Sequence, residues 1–270
     1  MTDMLHFEFV RNALMAGLLV SIACGLIGTL VVINRIVFIA GGIAHAAFGG
    51  IGLSVYLGYS PEIGALIYSL ISSIIMGFVT LFDKHRADTV IGVFWAFGMA
   101  IGIIASDLTP GYNSDLMGFL FGNIIAVSKT DLFYMLISLF IIFATIMLFY
   151  KQLFSISFDR DFSISQGLNV SFIYILMIVI ITLGIMMTIK AVGLILVIAL
   201  ITIPVHIAEY FSSSLLRMMF YSSLLSLLFI MSGLIIAFKF NISAGATIIL
   251  TASLFYMLFS LLKRLIKVYN

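Results

Sequence analysis

The chain has 270 residues, of which 63% are hydrophobic and 9% charged, with a net charge of +2. Soluble domains carry roughly 25% charged residues, and a water-soluble chain this apolar would expose patches that aggregate. The composition excludes an ordinary aqueous globular protein, and the scattered Lys and Arg form no patch that would bind nucleic acid.

Lipid is the solvent that fits. A span needs about 20 apolar residues, and backbone groups in hydrocarbon must pair internally, so helices are expected. The apolar runs, such as Leu136–Tyr150 and Leu194–Ile203, are continuous, whereas barrel strands alternate. The predicted class is an all-α polytopic membrane protein, a single domain over 1–270.

The first stretch, Met1–Arg11, mixes Asp3, His6, Glu8 and Arg11 with apolar residues. It lacks the basic start of a signal peptide, so no cleavage is expected. Spans are then predicted near 12–33, 36–58, 62–82, 90–107, 131–150, 170–188, 191–211, 217–238 and 243–262. Cys24 falls in the first span and reads as a buried thiol; one cysteine allows no internal disulfide. The break at Asp83–Asp88, which contains His85, reads as a solvated turn.

After the fourth span come Asp107, then Pro110, Gly111, Asn113, Ser114 and Asp115. The following segment, 116–127, is too short to cross and is predicted as a short re-entrant or interfacial helix packed against protein. Glycines spaced by four, Gly98/Gly102 and Gly118/Gly122, suggest close helix packing.

Residues 151–169 form the longest polar connection. Asp159 and Asp161 suit the start of a short helix, and Gly167 suits its C-terminal cap. Phe158, Phe162, Ile164 and Leu168 would give it an apolar side for a partner. A solvated loop is the alternative.

Nine crossings put the termini on opposite sides. One side gathers Arg35, Lys84, Arg86, Lys151, Arg160, Arg217, Lys263, Arg264 and Lys267; the other gathers Arg11, Lys129, Lys190 and Lys239. The positive-inside rule makes the first side cytoplasmic, with the N-terminus outside and the C-terminus inside.

Ionisable groups at membrane depth are functional candidates. His45 lies near mid-bilayer, and Gly41 and Gly49, four residues away on either side, share its face; with Gly52 they form a small-residue face. That face leaves room beside the imidazole for a helix, water or an ion. His206 and Glu209, three apart after Pro204, can meet on one helical face, and their donor types suit Zn²⁺ or Mn²⁺. A water-facing pair is the alternative. No phosphate-binding loop of the Gly-x-x-x-x-Gly-Lys-Ser/Thr type is present, so any ATPase would be a separate chain.

Three segments together carry a family resemblance: Gly41–Leu53, Ser157–Leu168 and Val192–Pro204. The chain resembles the membrane permeases of bacterial metal-uptake ABC transporters. That resemblance implies a homodimeric permease, or a pair of related ones, in the cytoplasmic membrane, docked on two ATP-binding cassette subunits and fed by an extracytoplasmic metal-binding protein. It implies a coupling role for Phe158, Asp159, Arg160, Asp161, Gly167 and Leu168, and a path or gate role for His45. It also implies no catalysis by this chain and no permanently bound cofactor, only a transported metal. Many members carry an Asp four residues before the histidine. Gly41 stands there instead, and less carboxylate character leans towards zinc over manganese. A self-sufficient secondary transporter or channel using His45, His206 and Glu209 is the competing reading.

Overall fold

The computed structural model describes residues 7–82, 87–109 and 118–269, with side chains through residue 265. His6, His85, Pro110–Asp115 and the side chain of Lys267 lie outside this set.

Eight helices of 20 to 26 residues are long and apolar enough to span a bilayer. They are α1 (Glu8–Ile33), α2 (Val37–Tyr56), α3 (Pro61–Phe82), α4 (Ala87–Asp107), α5 (Lys129–Leu148), α8 (Val170–Val192), α10 (Leu215–Phe240) and α11 (Ala244–Tyr269). Two short helices, α6 (Tyr150–Phe158) and α7 (Arg160–Ser165), follow α5, and α9 (Val197–Phe211) follows α8.

The helices α1, α2 and α8 form the centre, whereas α3, α4, α5, α10 and α11 keep most of their surface outside. The outward residues are apolar, as with Ile63, Ile67, Ile71 and Ile75 along α3. The inward ones are often small and polar, such as Ser69, Ser73, Ser222 and Thr188. In water this distribution would be unstable; in lipid it is expected, because small residues admit close helix approach. Buried hydroxyls such as Thr182 and Thr188 donate to the carbonyls of Ile178 and Gly184 four residues back, so they need no partner from another helix. Cys24 is buried, its sulfur 3.6 Å from the Thr188 hydroxyl.

The ninth expected crossing, 191–211, takes a different form. Its first two residues still belong to α8, which stops at Val192, and helix resumes only at Val197. Gly193 has φ +92°, a conformation costly for any residue with a Cβ. The resulting α9 has 15 residues, about 22 Å at 1.5 Å per residue, short of the roughly 30 Å hydrocarbon core. The irregular stretch before it extends its reach. The Leu194 and Ile195 amides donate to the carbonyls of Phe119 and Leu120, at 3.1 and 3.3 Å.

Those carbonyls belong to the segment predicted not to cross. Residues 118–121 are helical and Ile124–Ala126 form a 3-10 turn. Ile124 and Val127 are buried, and the Asn12 amide donates to the Val127 carbonyl at 3.1 Å. Non-helical backbone at this depth is stable because protein, not lipid, covers it. The glycine spacing there has another meaning than expected: a Cβ at Gly118 would meet nothing within 4 Å among the described residues, and Gly122 sits at φ +71° against the backbone of Val192 and Gly193. Gly98/Gly102 behave as expected and pack closely on α2.

The two ends of the bundle differ. At one, Lys190 bridges Glu62 and Asp131 at 2.8 Å each, and Lys129 meets Glu8 at 2.9 Å; this is the Lys190 face. At the other, the Arg160 face, Asn34 donates to Ser157 at 2.9 Å and Thr80 meets Tyr174 at 3.1 Å. Arg35 lines the same basin as Arg160.

Candidate functional site

His45 lies midway along α2, whose glycines press against α4. A Cβ at Gly49 would lie 2.8 Å from the Gly98 carbonyl oxygen, and one at Gly52 would lie 2.7 Å from the Gly102 Cα. Backbones this close exclude side chains at these positions, so the small-residue face is filled by a helix rather than by water or an ion.

One turn before Gly98 on the same stripe of α4 stands Trp95, the only tryptophan of the chain. Its indole stacks on the His45 imidazole, with ring centroids 4.0 Å apart and planes 16° apart. The Phe38 ring is also near the indole, with centroids 6.0 Å and planes 52° apart. A Cβ at Gly41 would fall 3.3 Å from the Trp95 ring and 3.0 Å from the Ile198 Cδ1 on α9. Phe38, Gly41 and His45 thus form one stripe of α2, and the bare Gly41 leaves the indole edge uncrowded. The imidazole Nδ1 is fully covered and has no hydrogen-bond partner among the described residues, although the residue as a whole is only partly buried.

His206 and Glu209 do meet each other: Nδ1 and Oε2 are 3.4 Å apart, on side chains about half exposed. They sit at the Arg160-face end of α9, in a groove of about 450 Å³ with Tyr210, Tyr256, Phe259, Ser260 and Lys263. His206 packs beside Tyr256 of α11, while His45 packs on α4. The structure therefore does not assemble the three into one site. No cluster of three His, Cys, Asp or Glu suited to a metal occurs among the described residues.

The 151–169 stretch is more helical than expected. Tyr150–Phe158 forms α6 because Leu153 and Ile156, three apart, bury one face. Asp159 then caps α7: its carboxylate accepts from the Phe162 amide at 2.8 Å. Gly167, at φ +77°, ends α7 with a paired closure, its amide donating to the Ile164 carbonyl and that of Leu168 to the Ser163 carbonyl. This is the glycine-ended helix stop described for Schellman motifs. The Ser155 and Ser163 hydroxyls, 2.6 Å apart, tie α6 to α7. Phe158, Phe162 and Ile164 are more than half exposed on the resulting tip, and Asp161 is also exposed. Behind the tip lies a basin of about 700 Å³ lined by Arg35, Asp88, Ser157 and Arg160 among others.

Two features had no counterpart in the sequence reading: the Trp95 stack and the Lys190 bridge. The first was readable in principle. Gly98 and Gly102 mark the α4 face that meets α2, and Trp95 is three residues before Gly98, on that same face.

The fold and these features define a polytopic membrane permease. The model of the ABC 3 transport family matches residues 6–263, and the chain belongs to that family, the membrane permeases of metal-uptake ABC transporters. An uncharacterized membrane protein of Synechocystis is 44% identical, covering 96% of this chain and 92% of its own length. The manganese import system permease protein ScaB of Streptococcus gordonii is 31% identical, covering 93% and 90%. Among solved structures, PsaBC from Streptococcus pneumoniae in complex with Fab matches with a TM-score of 0.86 and 33% identity, covering 95% of this chain and 92% of that one.

Proposed function

We propose that this chain is the membrane subunit of an ATP-driven importer of divalent transition-metal ions, with His45 on the ion path. One observation carries the assignment of His45: it is a partly buried imidazole midway along a membrane span, and an ionisable group at that depth is costly unless it serves a function. The chain is multi-pass in the bacterial cytoplasmic membrane, with the Arg160 face cytoplasmic by its excess of cations; the N-terminus lies outside and the C-terminus inside. Two copies pair as a homodimer, and the path runs past the exposed edge of each His45. His206 and Glu209 mark the exit end of the path.

The tip formed by Phe158, Asp159, Arg160, Asp161, Gly167 and Leu168 is the coupling element for two cytoplasmic ATPase subunits. Its exposed phenyl rings suit a partner groove. A separate extracytoplasmic binding protein delivers the metal at the Lys190 face.

Zinc is favoured because the donor at mid-span is an imidazole without an adjacent carboxylate, and carboxylates suit manganese better. Manganese is the second reading, favoured by the name of the Streptococcus gordonii relative.

The test is metal uptake into vesicles holding this chain alone or together with its ATPase and binding protein. Uptake that requires ATP and both partners supports the proposal. Metal or proton flux by the chain alone, without ATP, would establish a self-sufficient carrier instead.

A further inference from the structure

We infer that Trp95 is a positioning residue for His45, and that positions 41, 95 and 45 act as one unit which presents a single edge of the imidazole to the transported ion. The inference rests on the reading of His45 as a path residue.

Four observations converge. The indole lies nearly parallel to the imidazole at 4.0 Å, so it fixes the plane of a ring that no hydrogen bond holds among the described residues. Nδ1 has neither exposed area nor a partner among the described residues, yet the residue is only partly buried, so any exposed edge of the ring is the other one. The indole edge lies where a Cβ at Gly41 would be 3.3 Å away, so any side chain there would crowd it. Phe38, one turn before Gly41 on α2, adds a second ring near the indole, with centroids 6.0 Å apart.

A histidine that binds a metal normally has its other ring nitrogen held by a carboxylate, a carbonyl or water, which fixes tautomer and orientation. Here orientation comes from a π-stack. The stack fixes the plane but accepts no proton from Nδ1. The imidazole is thus held firmly yet made no more basic, a weak ligand that binds and releases easily. That suits a residue an ion must pass.

The experiment uses the complete transporter, with its ATPase and binding-protein partners, in vesicles. Zinc and manganese uptake are measured separately for Trp95→Phe, Trp95→Leu and His45→Ala. Phenylalanine keeps a flat ring over the imidazole; leucine keeps only apolar bulk. Trp95→Phe is expected within about threefold of wild type, and Trp95→Leu at least tenfold down through a higher KM for the metal, with normal assembly. Wild-type uptake by an assembled Trp95→Leu transporter overturns the inference. If neither tryptophan variant assembles, emission decides: Trp95 is the only tryptophan, so red-edge excitation of the purified chain reports it alone. His45→Ala must shift or brighten that emission, and an unchanged spectrum overturns the stack. Full uptake by His45→Ala removes His45 from the path and the proposed route with it. An inactive His45→Ala beside a fully active Trp95→Leu removes only the role given to Trp95.

Discussion

The tip at 159–168 offers the sharpest quantitative prediction, because two separate devices hold a helix of six residues. A helix this short has no stability of its own. Its start depends on the Asp159 carboxylate accepting from the Phe162 amide, and its end depends on Gly167 at φ +77°. Asp159→Ala removes a cap worth about 1 kcal/mol. Gly167→Ala forces an L-residue into the left-handed region at about 1–2 kcal/mol. If ATPase docking needs the ordered tip, these costs pass into affinity. Asp159→Ala should weaken docking about fivefold and Gly167→Ala roughly five- to thirtyfold. The decisive variant is Asp159→Asn, since asparagine caps as well as aspartate but carries no charge. It should dock within about twofold of wild type. The assay is binding of the purified ATPase subunit to the permease in nanodiscs, read by surface capture over a concentration series. A loss in Asp159→Asn equal to that in Asp159→Ala would refute the capping account, because charge recognition would then be what the residue supplies.

Other predictions concern the bundle. Gly193→Ala places a Cβ 2.6 Å from the Leu120 carbonyl oxygen at a positive φ; it should destabilise the fold by about 3 kcal/mol or more, visible as lower monodisperse yield and a lower Tm in detergent. Lys190→Met leaves Glu62 and Asp131 without their shared cation. With Lys190 only 28% exposed, the cost should be about 1–2 kcal/mol, and the further changes Glu62→Gln and Asp131→Asn should restore most of the Tm. His206→Ala breaks a half-exposed pair, so its stability cost should be under about 0.5 kcal/mol. Zinc uptake by that variant should fall less than that of His45→Ala.

The eight long helices were legible because each is a continuous apolar run, and lipid leaves such a run no other fold. The α9 crossing was misread in form. Residues 191–211 are apolar throughout, so hydropathy sees one span, while the break comes from a single backbone angle at Gly193. The caps at Asp159 and Gly167 were legible because capping is local chemistry. The helix α6 was not, since its stability comes from Leu153 and Ile156 burying against the rest of the protein. At His45 the glycine spacing correctly marked a bare face of α2. What fills it comes from α4, fifty residues on, and the alignment of Trp95 with Gly98 and Gly102, which could have pointed to it, went unread. The distance between His45 and the His206 groove likewise depends on tertiary arrangement, to which spacing along the chain is blind.

The central claim is that a divalent metal crosses past His45 under the drive of a separate ATPase. Uptake of radioactive zinc by the complete transporter in vesicles, comparing wild type with His45→Ala at matched ATPase assembly, addresses it most directly. The account predicts ATP-dependent uptake in the wild type and a loss of at least about tenfold in the variant. Equal ATP-dependent uptake by both, or uptake by either without ATP, would contradict it.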